Sequence, residues 1–213
     1  MTSAGGARFR GRELELELFD PNSEQLVRLF RHPGGEWEAP PEKYRNQRVD
    51  PPHGHKADYA MLYTAGTLPA VAVECRVLRV DSQDRYAWSR TLASQYQVAR
   101  YNFAAPALFV PIDGANRGVL GLQGGTRKFA GYEPYQKVAL TLFQRYGQVI
   151  HGLSWESFHR NQPGRVFALS GSSRPREWCT RGSSDPSFFS SEPVGDTRPK
   201  AAELQRAIIV VSG

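Results

Sequence analysis

The sequence predicts an α+β domain, a mixed α/β arrangement in which short strands and a few helices share one core. Three observations predict it. Residues 13–18 alternate glutamate and leucine strictly, which is the period of a half-buried strand. Short apolar runs bounded by Gly, Pro and polar residues recur at 59–64, 107–112 and 165–169, and each reads as a strand. Within 134–146, Tyr135, Val138, Ala139, Leu142, Phe143 and Tyr146 fall on one helical face, and Gly147 stops the run. The many turns between these segments argue against a regular doubly wound sheet.

At 213 residues, 40% of them apolar and 11% aromatic, the chain can bury one substantial core, so a single principal domain is expected. Its parts are an N-terminal strand and extension (1–23), the main domain (24–170) and a C-terminal extension (171–213) that docks on the same domain. The net charge is +6, carried by 22 Arg and only 5 Lys. Arginine suits a planar, bidentate grip on phosphate or carboxylate, although a GC-rich genome would produce the same skew. The charges are scattered, with no basic run interleaved with aromatics, so nucleic acid is not an expected direct partner. No stretch approaches the roughly 20 apolar residues of a bilayer span, and the opening residues lack the apolar core of a secretory signal, so a cytoplasmic location is expected. Cys75 and Cys179 lack the spacing of a disulfide framework or a zinc site and read as reduced thiols.

Along the chain, 26–31 is a short apolar and basic segment, and 33–56, rich in Pro, Gly and charge, reads as a long surface loop of the functional kind. Thr67 can cap a short helix with Pro69 near its start, leading into Ala70-Val71-Ala72-Val73-Glu74; a strand is the other reading. The strand at 107–112 closes on the turn Asp113-Gly114. Residues 170–199 read as loop, and the chain ends in a short helix and an apolar strand at 207–211. There is no GxGxxG after a strand and no GxxxxGK[ST], and Ser154 lacks the second glycine of a nucleophile elbow.

Glu74 stands out because it ends an apolar run where an unpaired carboxylate is costly to bury. Either it forms a structural ion pair with Arg76 or Arg79, or it is functional. Arg28 lies between apolar neighbours in Leu26-Val27-Arg28-Leu29-Phe30, and Arg48 sits in Gln47-Arg48-Val49-Asp50-Pro51-Pro52. Such arginines aim their heads at something specific or simply snorkel to water. Tyr63 reads alone as a core aromatic, and Ser157 as a turn cap or a hydrogen-bonding group at a pocket mouth. His53 and His55, near Asp50 and Asp58, have metal-ligand chemistry, but solvated loop histidines explain them better and no metal is expected.

Taken in order, these fragments resemble the RES domain family over residues 24 to about 170. Leu26-Val27-Arg28-Leu29-Phe30-Arg31 is similar to its opening arginine segment, Arg48-Val49-Asp50-Pro51-Pro52 to its R-[FW]-[DN]-x-P element, and Leu62-Tyr63-Thr64-Ala65 to its LY-x-A strand. Ala72-Val73-Glu74 matches the A-x-E that carries the family glutamate. LFVPIDGANRGVLGL (108–122) resembles its central strand and turn, 132–143 its Y-x-x-[YT]-Q-x-x-A helix, and GLSWESFHRNQPGRVF (152–167) its closing element. Leu29 and Trp155 depart from the family, standing where an aromatic residue and a tyrosine are frequent.

The resemblance implies an ADP-ribosyltransferase-like fold, with a split, mixed sheet and flanking helices around an NAD+ cleft. It also implies a toxin of a toxin–antitoxin pair, covered by an antitoxin or immunity protein; a homo-oligomer is compatible with it, and nucleic acid would enter only through the antitoxin. NAD+ is then a substrate rather than a resident cofactor. Cleaving its nicotinamide–ribose bond passes through an oxocarbenium-like sugar. That step needs a carboxylate near the developing charge, an aromatic face for the departing ring and cations on the pyrophosphate. By resemblance Glu74 takes the first role, Tyr63 the second, Arg28 and Arg48 the third, and Ser157 donates a hydrogen bond in the same cleft. The acceptor stays open: water makes a glycohydrolase, phosphate a phosphorylase and a protein side chain an ADP-ribosyltransferase. A non-catalytic nucleotide- or partner-binding module is the competing class.

Overall fold

The computed structural model describes residues 8–9, 11–20, 22, 25–31, 35, 37–80, 86–122, 131–157, 164–171 and 179–181. Its first strands, β1 (Arg8–Phe9) and β2 (Arg12–Glu13), pair as a small antiparallel ribbon. Then come β3 (Glu17–Phe19), β4 (Leu26–Phe30) and β5 (Met61–Ala65). The helix α1 (Leu68–Glu74) follows, then β6 (Leu78–Val80) and β7 (Tyr86–Trp88), which form a second antiparallel ribbon. The turn-like α2 (Arg90–Ala93) precedes β8 (Gln97–Phe103) and β9 (Ala107–Pro111). After α3 (Asn116–Val119) and α4 (Glu133–Tyr146) the chain adds β10 (Gly152–Glu156), β11 (Arg165–Ser170) and β12 (Cys179–Arg181).

Eight strands hydrogen-bond in the order β12-β8-β4-β5-β11-β10-β9-β3, antiparallel throughout except for the parallel pair β9 and β10. The fold is α+β with a mixed sheet. Its weakest seam is central: β4 pairs with β8 from Leu26 opposite Tyr101 to Phe30 opposite Gln97, yet meets β5 only at Val27 opposite Ala65. The strands part there.

Three apolar clusters hold the sheet. On one face α4 lays Tyr135, Val138, Ala139 and Leu142 against Met61, Val110, Leu153, Trp155 and Val166. On the other, Phe19, Phe103, Phe109 and Phe167 interlock at 4.8–6.4 Å with Leu26, Phe30 and Leu62. The third packs α1 over Val27, Leu29, Ala65 and Val98. Burying side chains of this size stabilises by about 1.5–3 kcal/mol each, which explains why short strands persist.

The predicted helical face of α4 is the buried one, with Phe143 and Tyr146 partly buried at its edge. Three expectations are corrected. Residues 13–18 are not one strand: β2 ends at Glu13 and β3 begins at Glu17, because the Asn116 side chain between them bonds both the N–H and the C=O of Glu15, and beyond the break Leu16 and Leu18 are exposed. The stretch 33–56 is not purely surface, since Val49, Asp50, Pro51 and Pro52 are buried beneath β5 and α4. Within 170–199 lies β12, which extends the sheet beside β8. The expected helix and strand near the C-terminus lie outside the described residues. No helix among the described residues is long and apolar enough to cross a membrane.

Candidate functional site

Glu74 owes its position to the start of its helix. Thr67, in extended conformation, accepts the Ala70 N–H through its Oγ1 at 3.3 Å, and Pro69 sits in the first turn, where a missing N–H costs nothing. Leu68, Ala70, Val71, Ala72 and Val73 bury α1, so its last residue emerges half-buried at the edge of the packed layer. Arg76, at φ 59, takes the left-handed conformation that ends the helix, and its N–H donates to Val73 O at 2.9 Å.

Opposite Glu74, β10 and β11 continue pairing beyond their last ladder residues through Ser157 N–H to Gly164 O at 2.8 Å. That extension carries Ser157 to α1, where its hydroxyl donates to Glu74 Oε1 at 2.7 Å. The ion pair with Arg76 or Arg79 does not form among the described residues; the partner is a neutral hydroxyl.

A second cluster forms around Trp155. The Tyr63 ring meets it edge to face, with centroids 6.2 Å apart. The Arg48 guanidinium lies 5.2 Å from the Tyr135 ring centroid, 5.3 Å from Tyr132 and 5.8 Å from Trp155, a cation held among three aromatic rings. Tyr63 is half-buried, but its hydroxyl is fully engaged, donating to Asp50 Oδ1 at 3.1 Å and accepting the Val49 N–H at 3.2 Å. Burial, and then the negative Asp50, push the phenol well above its ordinary pKa, so it acts as a donor and not as a base. Asp50 is 1% exposed; burial raises its carboxyl against the lowering effect of the Gln47 N–H at 2.7 Å.

Arg28, also buried, sits where β4 and β5 part, and its Nη2 donates to Glu38 O at 2.9 Å. Strand alternation turns it toward the face of Leu26 and Phe30, away from Tyr63. Cys75 caps α1 immediately after Glu74. Burial pushes that thiol up to about 12, Glu74 adds to the rise, and Arg28 and Arg31 oppose it.

Of the predicted residues, the structure therefore joins Glu74 directly to Ser157 and seats Tyr63 and Arg48 on one tryptophan. Arg28 stands outside that aromatic cage. His53 is exposed, His55 shares a 2.7 Å hydrogen bond with Asp58, and no three potential metal ligands converge among the described residues. Sequence reasoning missed Asp50, Trp155, Tyr132 and Tyr135 as members of this neighbourhood. The signal for Asp50 was its place beside Arg48 in the motif; Tyr135 was visible only as a core position.

Fold and site define an α+β protein whose mixed sheet opens at one seam, with a carboxylate–hydroxyl pair at the end of a short helix and a caged arginine nearby. Among solved structures this chain is similar to the crystal structure of the M. tuberculosis MbcT–MbcA toxin–antitoxin complex, with a TM-score of 0.54 and 15% identity over 78% of this chain and 87% of that chain. No protein-family model matches the sequence, and no curated protein does. The likeness is one of fold.

Proposed function

We propose that this protein is a RES-type toxin that cleaves the nicotinamide–ribose bond of NAD+, with an antitoxin or immunity protein as its natural partner. The observation that carries the reading is the Glu74–Ser157 pair. The hydroxyl occupies Oε1 and orients the carboxylate, while Oε2 has no partner among the described residues. A carboxylate held this way can face the positive charge that develops on the ribose as neutral nicotinamide departs, and it costs no reorganisation at that moment. Tyr63, its hydroxyl pinned, offers only its ring, which suits stacking on the departing base. Arg48, pre-positioned by its rings, is the cation on the Tyr63 side for the pyrophosphate or ribose, and Arg28, on the other face, is the second, reached where β4 and β5 part. The fold likeness to a toxin–antitoxin complex supports the class and the partner. Such an enzyme acts wherever NAD+ is held, in the cytoplasm of its own cell or of a target cell.

The acceptor taken here is a small one, water or phosphate; a protein side chain in its place would make the enzyme an ADP-ribosyltransferase. Incubating the purified protein with NAD+, with and without phosphate, and resolving the products tests it. Nicotinamide release with ADP-ribose or its 1-phosphate is expected, and Glu74→Gln should slow it by about 100-fold or more while the fold survives. A folded wild-type protein that releases no nicotinamide overturns the proposal.

A further inference from the structure

The hydroxyl of Tyr63 and the carboxylate of Asp50 form one node that locks two separate parts of the site. Asp50 Oδ1 accepts from the Tyr63 hydroxyl at 3.1 Å, and Oδ2 accepts the Gln47 N–H at 2.7 Å. The same hydroxyl accepts the Val49 N–H at 3.2 Å. Arg48 lies between Gln47 and Val49, so both peptide N–H groups flanking it are tied to this node. Gln47 is tied again from α4, because Gln136 Nε2 donates to Gln47 O at 2.9 Å.

The turn is reinforced from below. Lys56 Nζ donates to Arg45 O and to Pro51 O, the latter at 2.6 Å, and Arg45 Nη1 returns the contact to Lys56 O at 2.6 Å and Tyr59 O at 3.2 Å. Tyr59 also donates to Val49 O at 3.3 Å. Asp50 itself is buried at 1% exposure with both oxygens engaged, so it has no surface to offer a ligand.

We infer that Asp50 is a positioning residue for the proposed NAD+ site: through the Tyr63 hydroxyl and the Gln47 amide it holds the Tyr63 ring and the Arg48 cation in one fixed relation. This rests on the function proposed above and deepens it. Asp50 touches neither Glu74 nor Ser157, so its loss should disturb ground-state binding of the dinucleotide and spare the bond-breaking step.

Asp50→Asn keeps an acceptor for Tyr63 but turns an amide N–H toward the Gln47 N–H; Tyr63→Phe keeps the ring and deletes only the hydroxyl. Both variants are assayed for NAD+ consumption beside wild type, with folding checked by circular dichroism and with amide exchange followed at Gln47 and Val49. The expected result is a KM for NAD+ raised about tenfold in each variant with kcat within about threefold, the mark of lost ground-state positioning. Val49 amide protection should fall in Tyr63→Phe, and the double variant should be no worse than the poorer single one. If wild type consumes NAD+ and both variants keep its KM, the inference falls alone. It falls in the same way if kcat drops at constant KM together with the folded fraction, which marks a purely structural residue. If wild type neither binds nor consumes NAD+, the proposed function fails and takes the inference with it.

Discussion

Ser157 donates to Glu74 across 83 residues of sequence, and this 2.7 Å contact joins the end of α1 to the strand pair β10–β11. Each partner has a different share of the proposed chemistry. Glu74→Gln removes the charge that faces the ribose and should lower kcat by about 100-fold or more, the usual loss for one preorganised electrostatic contact. Ser157→Ala removes only orientation and should cost roughly tenfold, about 1.4 kcal/mol in the barrier. The double variant should resemble Glu74→Gln alone, because the hydroxyl acts through the carboxylate. Steady-state kinetics on the four proteins, with melting curves to confirm folding, decide this; additive losses would separate the two residues.

Arg48 is caged by Tyr132, Tyr135 and Trp155, and a planar guanidinium fills that role better than an ammonium. Arg48→Lys should lower stability by about 1 kcal/mol, the scale of a well-placed cation–π contact, and should also raise the KM for NAD+. Chemical denaturation and initial-rate measurements check the two effects separately. An unchanged midpoint would mean that the rings contribute no binding energy to the cation.

How much of this was legible beforehand depended on distance along the chain. α4 and α1 were readable because period, cap and stop are local: Thr67, Pro69 and Gly147 act within one turn of their own helices. Glu74, Tyr63, Arg48 and Ser157 were readable because each sits in a short motif in order. β8 was not, although it is the longest strand of the sheet. Arg100 and Asn102 interrupt any apolar run in Gln97–Phe103, and the pairing that makes it a strand comes from Leu26–Phe30, far away in sequence. Asp50 escaped for the same reason: its place beside Arg48 in the motif was visible, but its burial under the Tyr63 hydroxyl comes from another element. The alternation of 13–18 misled because it contains no sign that Asn116, 101 residues on, would take both backbone groups of Glu15.

His151 gives a pH dependence of defined sign. Leu108 N–H donates to its Nδ1 at 3.0 Å, and burial holds the ring below the ordinary histidine value of 6.5. The unfolded chain therefore binds the proton more readily than the native one. Stability that depends on the neutral ring is fully present above about pH 6.5 and is lost as pH falls through the lowered native value. Urea midpoints taken downward from neutrality should drop more steeply for wild type than for His151→Gln, and parallel curves would remove His151 as the cause.

Arg165 gathers three carboxylates on the opposite side of β10 from Trp155. It holds Glu17 through Nε and Nη2 at 2.8 Å each, Asp113 at 3.3 Å and Glu156 at 3.5 Å, while Ser154 donates its hydroxyl to Glu17. The side chains of Arg165, Glu17 and Asp113 are only 23–27% exposed, so the network is shielded enough to matter and wet enough to temper its strength. Arg165→Leu would leave three like charges together beside Ser154, and stability should fall by about 2 kcal/mol, below the 3–5 kcal/mol of a fully buried pair. Acid should then partly rescue the variant, because protonation removes the like-charge repulsion among the three, and the deficit should narrow toward about pH 4. Adding Glu17→Gln to Arg165→Leu should recover stability at neutral pH by removing one of the repelling charges. A denaturation series over pH on the three proteins measures all of this. If Arg165→Leu proves as stable as wild type at neutral pH, the latch between β3 and the β10–β11 pair is carried by backbone pairing alone.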